Sequence, residues 1–140
     1  LFIIFDLDGT LTRLAELDGG EIDWDDVYSQ CGAAEPRQPI IAVARSAVAA
    51  GDRVEIWTGR PERYRGPTVA WLIGVGLGDV PLRMRPADDH RDSVEMKSAW
   101  LALEPIPPAL ALDDSRAAAA MWTAKGVTAL VVDRGQRRPL

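Results

Sequence analysis

The chain has 140 residues, 47% apolar and 26% charged, which suffices to bury one domain's core and matches ordinary soluble-globular usage. No apolar run reaches the roughly 18 residues of a membrane span and no signal-peptide pattern opens the chain, so no membrane-spanning helix is expected in these residues. The net charge of -5 disfavours tight, nonspecific binding along a nucleic-acid backbone, though not an enzyme that grips one terminal phosphate. A single cysteine, Cys31, allows no intrachain disulfide, reads as a small buried or half-buried residue, and fits a reducing cytoplasm.

In chain order, residues 1–5 form a nearly continuous apolar run ending in Asp6, as in a strand buried on both faces. Because the chain opens inside this strand without a methionine, the natural protein is expected to extend upstream. Residues 12–35 are polar, with Gly19 and Gly20 inside and Trp24, Val27 and Tyr28 as evident anchors. The segment is too long for an ordinary loop and predicts a small insertion with at most one short helix. Between residues 11 and 35 the acids Glu16, Asp18, Glu21, Asp23, Asp25, Asp26 and Glu35 face one base, Arg13, so most of the negative charge sits here.

Residues 36–50 carry helix periodicity (Ile40, Ile41, Val43, Ala44, Ala47, Val48), with Pro39 near the start and Gly51 just past the end. A second strand is predicted at 54–58, a second helix at 68–77 with Trp71 and Leu72 inward, and a third strand at 80–84. Asp92 or Ser93 caps a third helix over 94–103, which the prolines 105, 107 and 108 stop. A strand at 109–112, a helix at 116–125 closed by Gly126, and a strand at 127–132 complete the alternation. Alternating strands and helices predict a parallel sheet with helices on both faces. In such sheets the carboxyl ends of the strands converge on the ligand crevice, and here those ends carry Asp6, Thr58, Arg85 and Asp113.

The string Phe5-Asp6-Leu7-Asp8-Gly9-Thr10-Leu11-Thr12 puts two carboxylates beside one pocket after a buried strand, with Gly9 permitting a tight turn. One acid can act as nucleophile and metal ligand while the other exchanges protons with the leaving group and water. Taken singly, each signal has a plainer reading. Asp8-Gly9 can be only a turn, Lys97 a surface residue, Asp113-Asp114 a helix cap with Ser115, and Thr58-Gly59-Arg60-Pro61 a strand-to-loop turn. His90, the sole histidine, has no expected role.

Together these residues resemble the four ordered motifs of the haloacid-dehalogenase superfamily: Asp6 to Thr12, then Thr58, then Lys97, then Asp113-Asp114. The resemblance implies a three-layer α/β sandwich over residues 1–140, one domain with a five-stranded parallel sheet in order 5-4-1-2-3. Residues 12–35 are then a minimal cap. It implies Asp6 as nucleophile forming an aspartyl phosphate, Asp8 as general acid and base, and Thr58 and Lys97 on the transferring phosphoryl group. It implies further that magnesium is held by Asp6, the Asp8 backbone carbonyl, Asp113 and Asp114. An acid at Asp8 favours hydrolysis.

A narrower resemblance connects Trp57-Thr58-Gly59-Arg60, Trp71, Leu82-Arg83-Met84-Arg85-Pro86, Asp89-His90-Arg91, Lys97 and Met121-Trp122 to the 3′-phosphatase domain of bacteriophage-type polynucleotide kinase/phosphatases. It implies Arg60 on the substrate phosphate, with Gly9, Thr10, Gly59, Arg85 and Asp92 as further substrate-binding candidates, and a kinase domain upstream in the natural protein. That family's aspartate four residues before the lysine is Ser93 here, with Asp92 one place earlier. The expected substrate is a phosphorylated nucleic-acid end, with no membrane partner. The alternatives are a nucleotide or small-ester phosphatase, or a non-catalytic binding module on the same fold. Trp24 or Tyr64 can stack on a base or serve only in packing.

Overall fold

A computed structural model describes residues 1–14 and 21–134. Five strands, β1 (Phe2–Phe5), β2 (Arg53–Pro61), β3 (Leu82–Arg85), β4 (Leu110–Asp113) and β5 (Thr128–Val131), form one sheet in the order β3-β2-β1-β4-β5, and every pairing is parallel. The helices are α1 (Trp24–Ser29), α2 (Gln38–Ala49), α3 (Arg65–Gly74), α4 (Ser93–Ala102) and α5 (Arg116–Ala124). This is the α/β sandwich and strand order that the motifs imply. Among the described residues no helix is long and apolar enough to cross a membrane.

Side-chain alternation along β1 explains the layers. Ile3 and Phe5 enter one core with Ile41 and Ala44 of α2 and Trp71 and Leu72 of α3. Phe2 and Ile4 enter the opposite core with Met96 and Trp100 of α4 and Ala118 and Trp122 of α5. The chain therefore builds outward from β1 to β2 and β3 under one helical layer. It then crosses to the other side of β1 for β4 and β5 under the second. The order reverses between β1 and β4, which makes the carboxyl ends of these two strands the switch point where parallel α/β sheets bind ligands. Asp6 and Asp113 stand at those two ends.

β2 is longer than the apolar run suggests. Trp57 pairs with Arg83 and Pro61 with Arg85, so Thr58, Gly59 and Arg60 occupy a register slip in which β2 has more residues than β3. Such bulges re-aim side chains at the end of a strand. α3 also begins before the predicted residue 68, following a 3₁₀ turn at Glu62–Tyr64.

Among its described residues the insertion contains one short helix, α1, followed by a 3₁₀ turn at Cys31–Ala33, within the at most one helix expected. Its base is closed by an antiparallel bridge between Thr12 and Pro36, flanked by Arg13 N–H donating to the Glu35 carbonyl (2.8 Å) and Arg37 N–H to that of Leu11 (2.8 Å). Trp24, Val27 and Tyr28 do not anchor it in the core, because α1 buries no residue. Among the described residues it is tied down by the buried Cys31, by the Trp71 indole, which donates to the Ala34 carbonyl at 2.8 Å, and at the surface by Tyr28 against Tyr64.

The second core depends on three indoles: Trp57 meets Trp100 edge-on at 5.8 Å and Trp122 at 5.7 Å, and Trp57 and Trp122 are fully buried. Trp122→Ala is expected to lower the unfolding free energy by about 3–5 kcal/mol in urea titration, through lost contact and a cavity. A loss below about 1 kcal/mol would mean that α5 packs without it.

Candidate active site

Asp6 is the first residue beyond β1, and its N–H donates to the Leu112 carbonyl of β4 at 2.9 Å, so the strand ladder fixes its backbone. The chain then turns through a wide loop over Leu7–Leu11, closed by Thr12 N–H on the Leu7 carbonyl (3.1 Å). Leu7 and Leu11 are fully buried in the first core and pin the turn from below. Gly9 has φ +87°, and a Cβ there would stand 2.1 Å from Oδ2 of Asp114. Glycine is thus required twice, by backbone conformation and by the close passage of an acid.

Lys97 reaches from α4 into this turn. Its ammonium donates to Oδ1 of Asp6 at 2.8 Å and to Oδ2 of Asp113 at 2.9 Å, with the lysine only 4% exposed. The Thr10 hydroxyl holds the other Asp6 oxygen at 3.0 Å. Both oxygens of Asp6 are therefore oriented, one by a cation and one by a neutral donor.

Carboxylate oxygens of Asp6, Asp113 and Asp114 lie within 4.8 Å of one another. Crowding and burial show in their titration. Desolvation pushes Asp6 up to about 7 against the pull of Lys97, and the nearby Asp114 charge adds to the rise. Asp113 is raised as well, by burial first and by Asp6 second. Burial works against a charged Lys97, yet the Asp6 and Asp113 carboxylates outweigh it and hold the ammonium above its ordinary value. Asp114 also accepts a hydrogen bond from Nε of Arg134. Three hard oxygen donors at this spacing suit a divalent cation such as magnesium, which takes few protein carboxylates and keeps ligand positions for substrate.

A second cluster stands beside the first. Arg60 emerges from the β2 bulge and is 1% exposed; it grips Asp8 with Nη2 on Oδ1 at 2.5 Å and Nε on Oδ2 at 3.3 Å. Its third nitrogen donates to Thr68 Oγ1 at 2.8 Å, and that hydroxyl donates to the Tyr64 carbonyl at 2.7 Å. Thr58 is buried and its hydroxyl accepts from Arg60 N–H at 3.0 Å. Asp8, Thr58 and Arg60 thus form one connected unit.

Two substrate-binding candidates are placed differently. The Arg85 guanidinium is engaged by the protein: Nε on the Gly59 carbonyl (2.9 Å), Nη1 on the carbonyls of Asp89 (3.2 Å) and Arg91 (2.6 Å), and Nη2 on Ser93 Oγ (2.9 Å). It staples the ends of β2 and β3 to the start of α4. Gly59 fits beneath because a Cβ there would stand 2.4 Å from Ser93 Oγ. Asp92 is exposed, and its carboxylate caps α4 by accepting from Val94 N–H at 2.8 Å. It is not drawn into the acidic cluster. Ser93, in the place of the expected aspartate, holds Arg85 instead.

Several partners had no local signal in the sequence. Thr68 sits mid-pattern in a helix, Arg134 follows the last strand, and Arg37, whose Nη2 donates to the Gly9 carbonyl at 3.4 Å, lies at the base of the insertion.

The geometry has counterparts in known proteins. The family profile described as the phosphatase domain of the polynucleotide kinase PNKP matches residues 2–136. Among solved structures, the chain is similar to one described as "Structure of the Pnkp1/Rnl/Hen1 RNA repair complex", with 26% identity and TM-score 0.79 over 93% of this chain and 41% of the other. A second Pnkp1/Rnl/Hen1 complex gives 28% identity and 0.76 over 96% and 46%. The chain spans less than half the length of both. The class C acid phosphatase of Bacillus anthracis, with tungstate bound, shares the fold at 16% identity and TM-score 0.60, over 92% of this chain and 64% of that one. No curated protein sequence matches. The haloacid-dehalogenase-type chain described here belongs to the polynucleotide kinase phosphatase-domain family and is a phosphatase.

Proposed function

We propose that this phosphatase is a magnesium-dependent phosphomonoesterase that removes 3′-phosphates from nucleic-acid ends through an aspartyl phosphate on Asp6. The observation that carries the reading is the Lys97 ammonium shared by Asp6 and Asp113 beside a third acid, Asp114. Phosphoryl transfer needs an aligned nucleophile and positive charge near the equatorial oxygens more than covalent chemistry from the protein.

A bound magnesium ion, held by Asp6, the Asp8 carbonyl, Asp113 and Asp114, supplies charge neutralisation for the phosphoryl oxygens. The chain's own residues do the rest. An oxygen of Asp6 forms the bond to phosphorus as the bond to the 3′ oxygen breaks, and Asp8 gives that oxygen its proton. Asp8, now a carboxylate, takes a proton from the incoming water. The water oxygen attacks phosphorus, and Asp6 is released with inorganic phosphate. Lys97 and Thr58 present N–H and O–H donors to the phosphoryl oxygens. We assign Arg60 to orienting Asp8: its fork lies on both oxygens of the carboxylate form and must yield one of them when that acid carries the proton it gives to the leaving oxygen.

The preference for nucleic-acid ends is supported by the family match and by the repair complexes whose chains this one resembles. We take residues 1–140 as one catalytic domain, cytoplasmic, with 12–35 as its cap, acting beside a kinase activity in the same machinery. A panel of a 3′-phosphorylated oligonucleotide, nucleoside monophosphates and p-nitrophenyl phosphate tests it. The expected result is highest kcat/KM on the oligonucleotide, with Asp6→Asn lowering kcat by more than about 1,000-fold. Preference for monomers would replace the substrate, and no turnover with magnesium would leave a binding module.

Asp6 at about 7 lies above its ordinary 3.8, so without a cation its contribution to stability is complete below the lower value and lost as pH rises through the higher. Magnesium competes with that proton. Its addition should raise Tm more at about pH 8 than at about pH 5: a hundredfold excess over the pH 8 Kd adds about 2.7 kcal/mol at pH 8 and less at pH 5. Equal shifts at both pH values would remove Asp6 from the metal's ligands.

Arg60→Lys keeps charge but loses the fork. On the oligonucleotide, whose alcohol leaves only with a proton, kcat should fall by about 100-fold, whereas p-nitrophenyl phosphate should lose much less. Equal losses on both substrates would put Arg60 on the phosphate instead of on Asp8.

A further inference from the structure

The rim of the site carries a row of aromatic side chains that this reaction leaves unused. Trp24 and Tyr28 lie one turn apart on α1, with ring centroids 5.7 Å apart and planes inclined by 31°. Tyr28 then meets Tyr64, from the 3₁₀ turn after β2, at 5.8 Å and 41°. The Arg63 guanidinium stands 4.9 Å from the Tyr64 ring centre and closes the row. Two segments far apart in sequence thus converge, one from the insertion and one from the loop beyond the Thr58-Gly59-Arg60 bulge.

Core packing does not account for the row. α1 buries none of its residues, Trp24 is 41% exposed, and Tyr28 and Tyr64 are half-buried. The row nevertheless adjoins the chemistry. The Tyr64 carbonyl accepts from the Thr68 hydroxyl, which accepts in turn from the Arg60 guanidinium that grips Asp8, so the row is two hydrogen bonds from Arg60. Charge narrows what can lie here. Asp23, Asp25 and Asp26 surround Trp24 in sequence and repel phosphate, so α1 offers ring faces rather than an anion site. The uncharged, flat parts of a polynucleotide are its bases, and every base has a π face that stacks on an aromatic ring.

We propose that Trp24, Tyr28 and Tyr64 form a stacking platform for the bases next to the 3′-phosphate, which makes unpaired ends the preferred substrate. The proposal rests on the reading of the site as a 3′-phosphatase. Bases in a duplex are already stacked and paired, and splaying them onto the platform costs free energy that a single strand does not spend.

The test is steady-state kinetics of the whole chain on a single-stranded 3′-phosphorylated oligonucleotide, on the same strand with its two terminal nucleotides abasic, and on a blunt duplex. KM for the abasic strand and for the duplex should each exceed that of the intact strand by about tenfold. Trp24→Ala and, from the other side of the row, Tyr64→Ala should each bring the ratio of abasic to intact KM close to one, and Trp24→Phe should restore most of it. Circular dichroism and thermal melting separate these effects from unfolding. Equal KM values for intact and abasic strands in the wild type, or an unchanged ratio in both alanine variants, would overturn the platform while leaving the phosphatase reading in place. Turnover of p-nitrophenyl phosphate without turnover of any oligonucleotide would overturn both.

Discussion

A lysine that is 4% exposed stays charged only where carboxylates replace the water it has given up, and Lys97 finds them on Asp6 and Asp113. That shared ammonium connects three elements at once: the end of β1, the end of β4 and the middle of α4. Without it the two acids would face each other in a low-dielectric crevice together with Asp114. With it, the Asp6 carboxylate is held in a fixed orientation. The same contact that stabilises the buried acids also fixes the direction of the Asp6 carboxylate, the nucleophile in the proposed reaction.

The sheet topology makes this contact possible. Because β4 lies on the far side of β1 from β2, the residues leaving β1 and β4 sit beside each other with no strand between them. Gly9 lets the following turn pass under Asp114, and the buried Leu7 and Leu11 keep that turn from lifting. The bulge at the end of β2 brings a third group of residues, Thr58 to Arg60, to the same rim.

The chain is rich in arginine, yet at the active end its arginines are largely committed to the protein. Arg85 satisfies backbone carbonyls and Ser93, and Arg60 grips Asp8. The planar fork of a guanidinium suits such fixed, multiple acceptors, whereas a compact ammonium is the better charge to share between two carboxylates. The residue types are thus sorted by geometry.

The alternation of strands and helices was legible from residue order, and the four motifs that meet at the strand ends from their resemblance to a known family. Period-two and helical patterning are local, and the acids of Asp6, Asp8 and Asp113-Asp114 lie at strand ends that such patterning marks. Even the short helix of the insertion was foreseeable. What the sequence did not contain is which side chain meets which. Nothing near Arg60 announces that it reaches Asp8, nor that Arg85 turns inward, nor that Tyr28 and Tyr64 touch. Those pairings join residues that only the crossing of the sheet brings within a few ångströms, and long flexible side chains have many partners until packing removes all but one. Sequence determined the chemistry available at the carboxyl ends; tertiary structure decided how it is shared out.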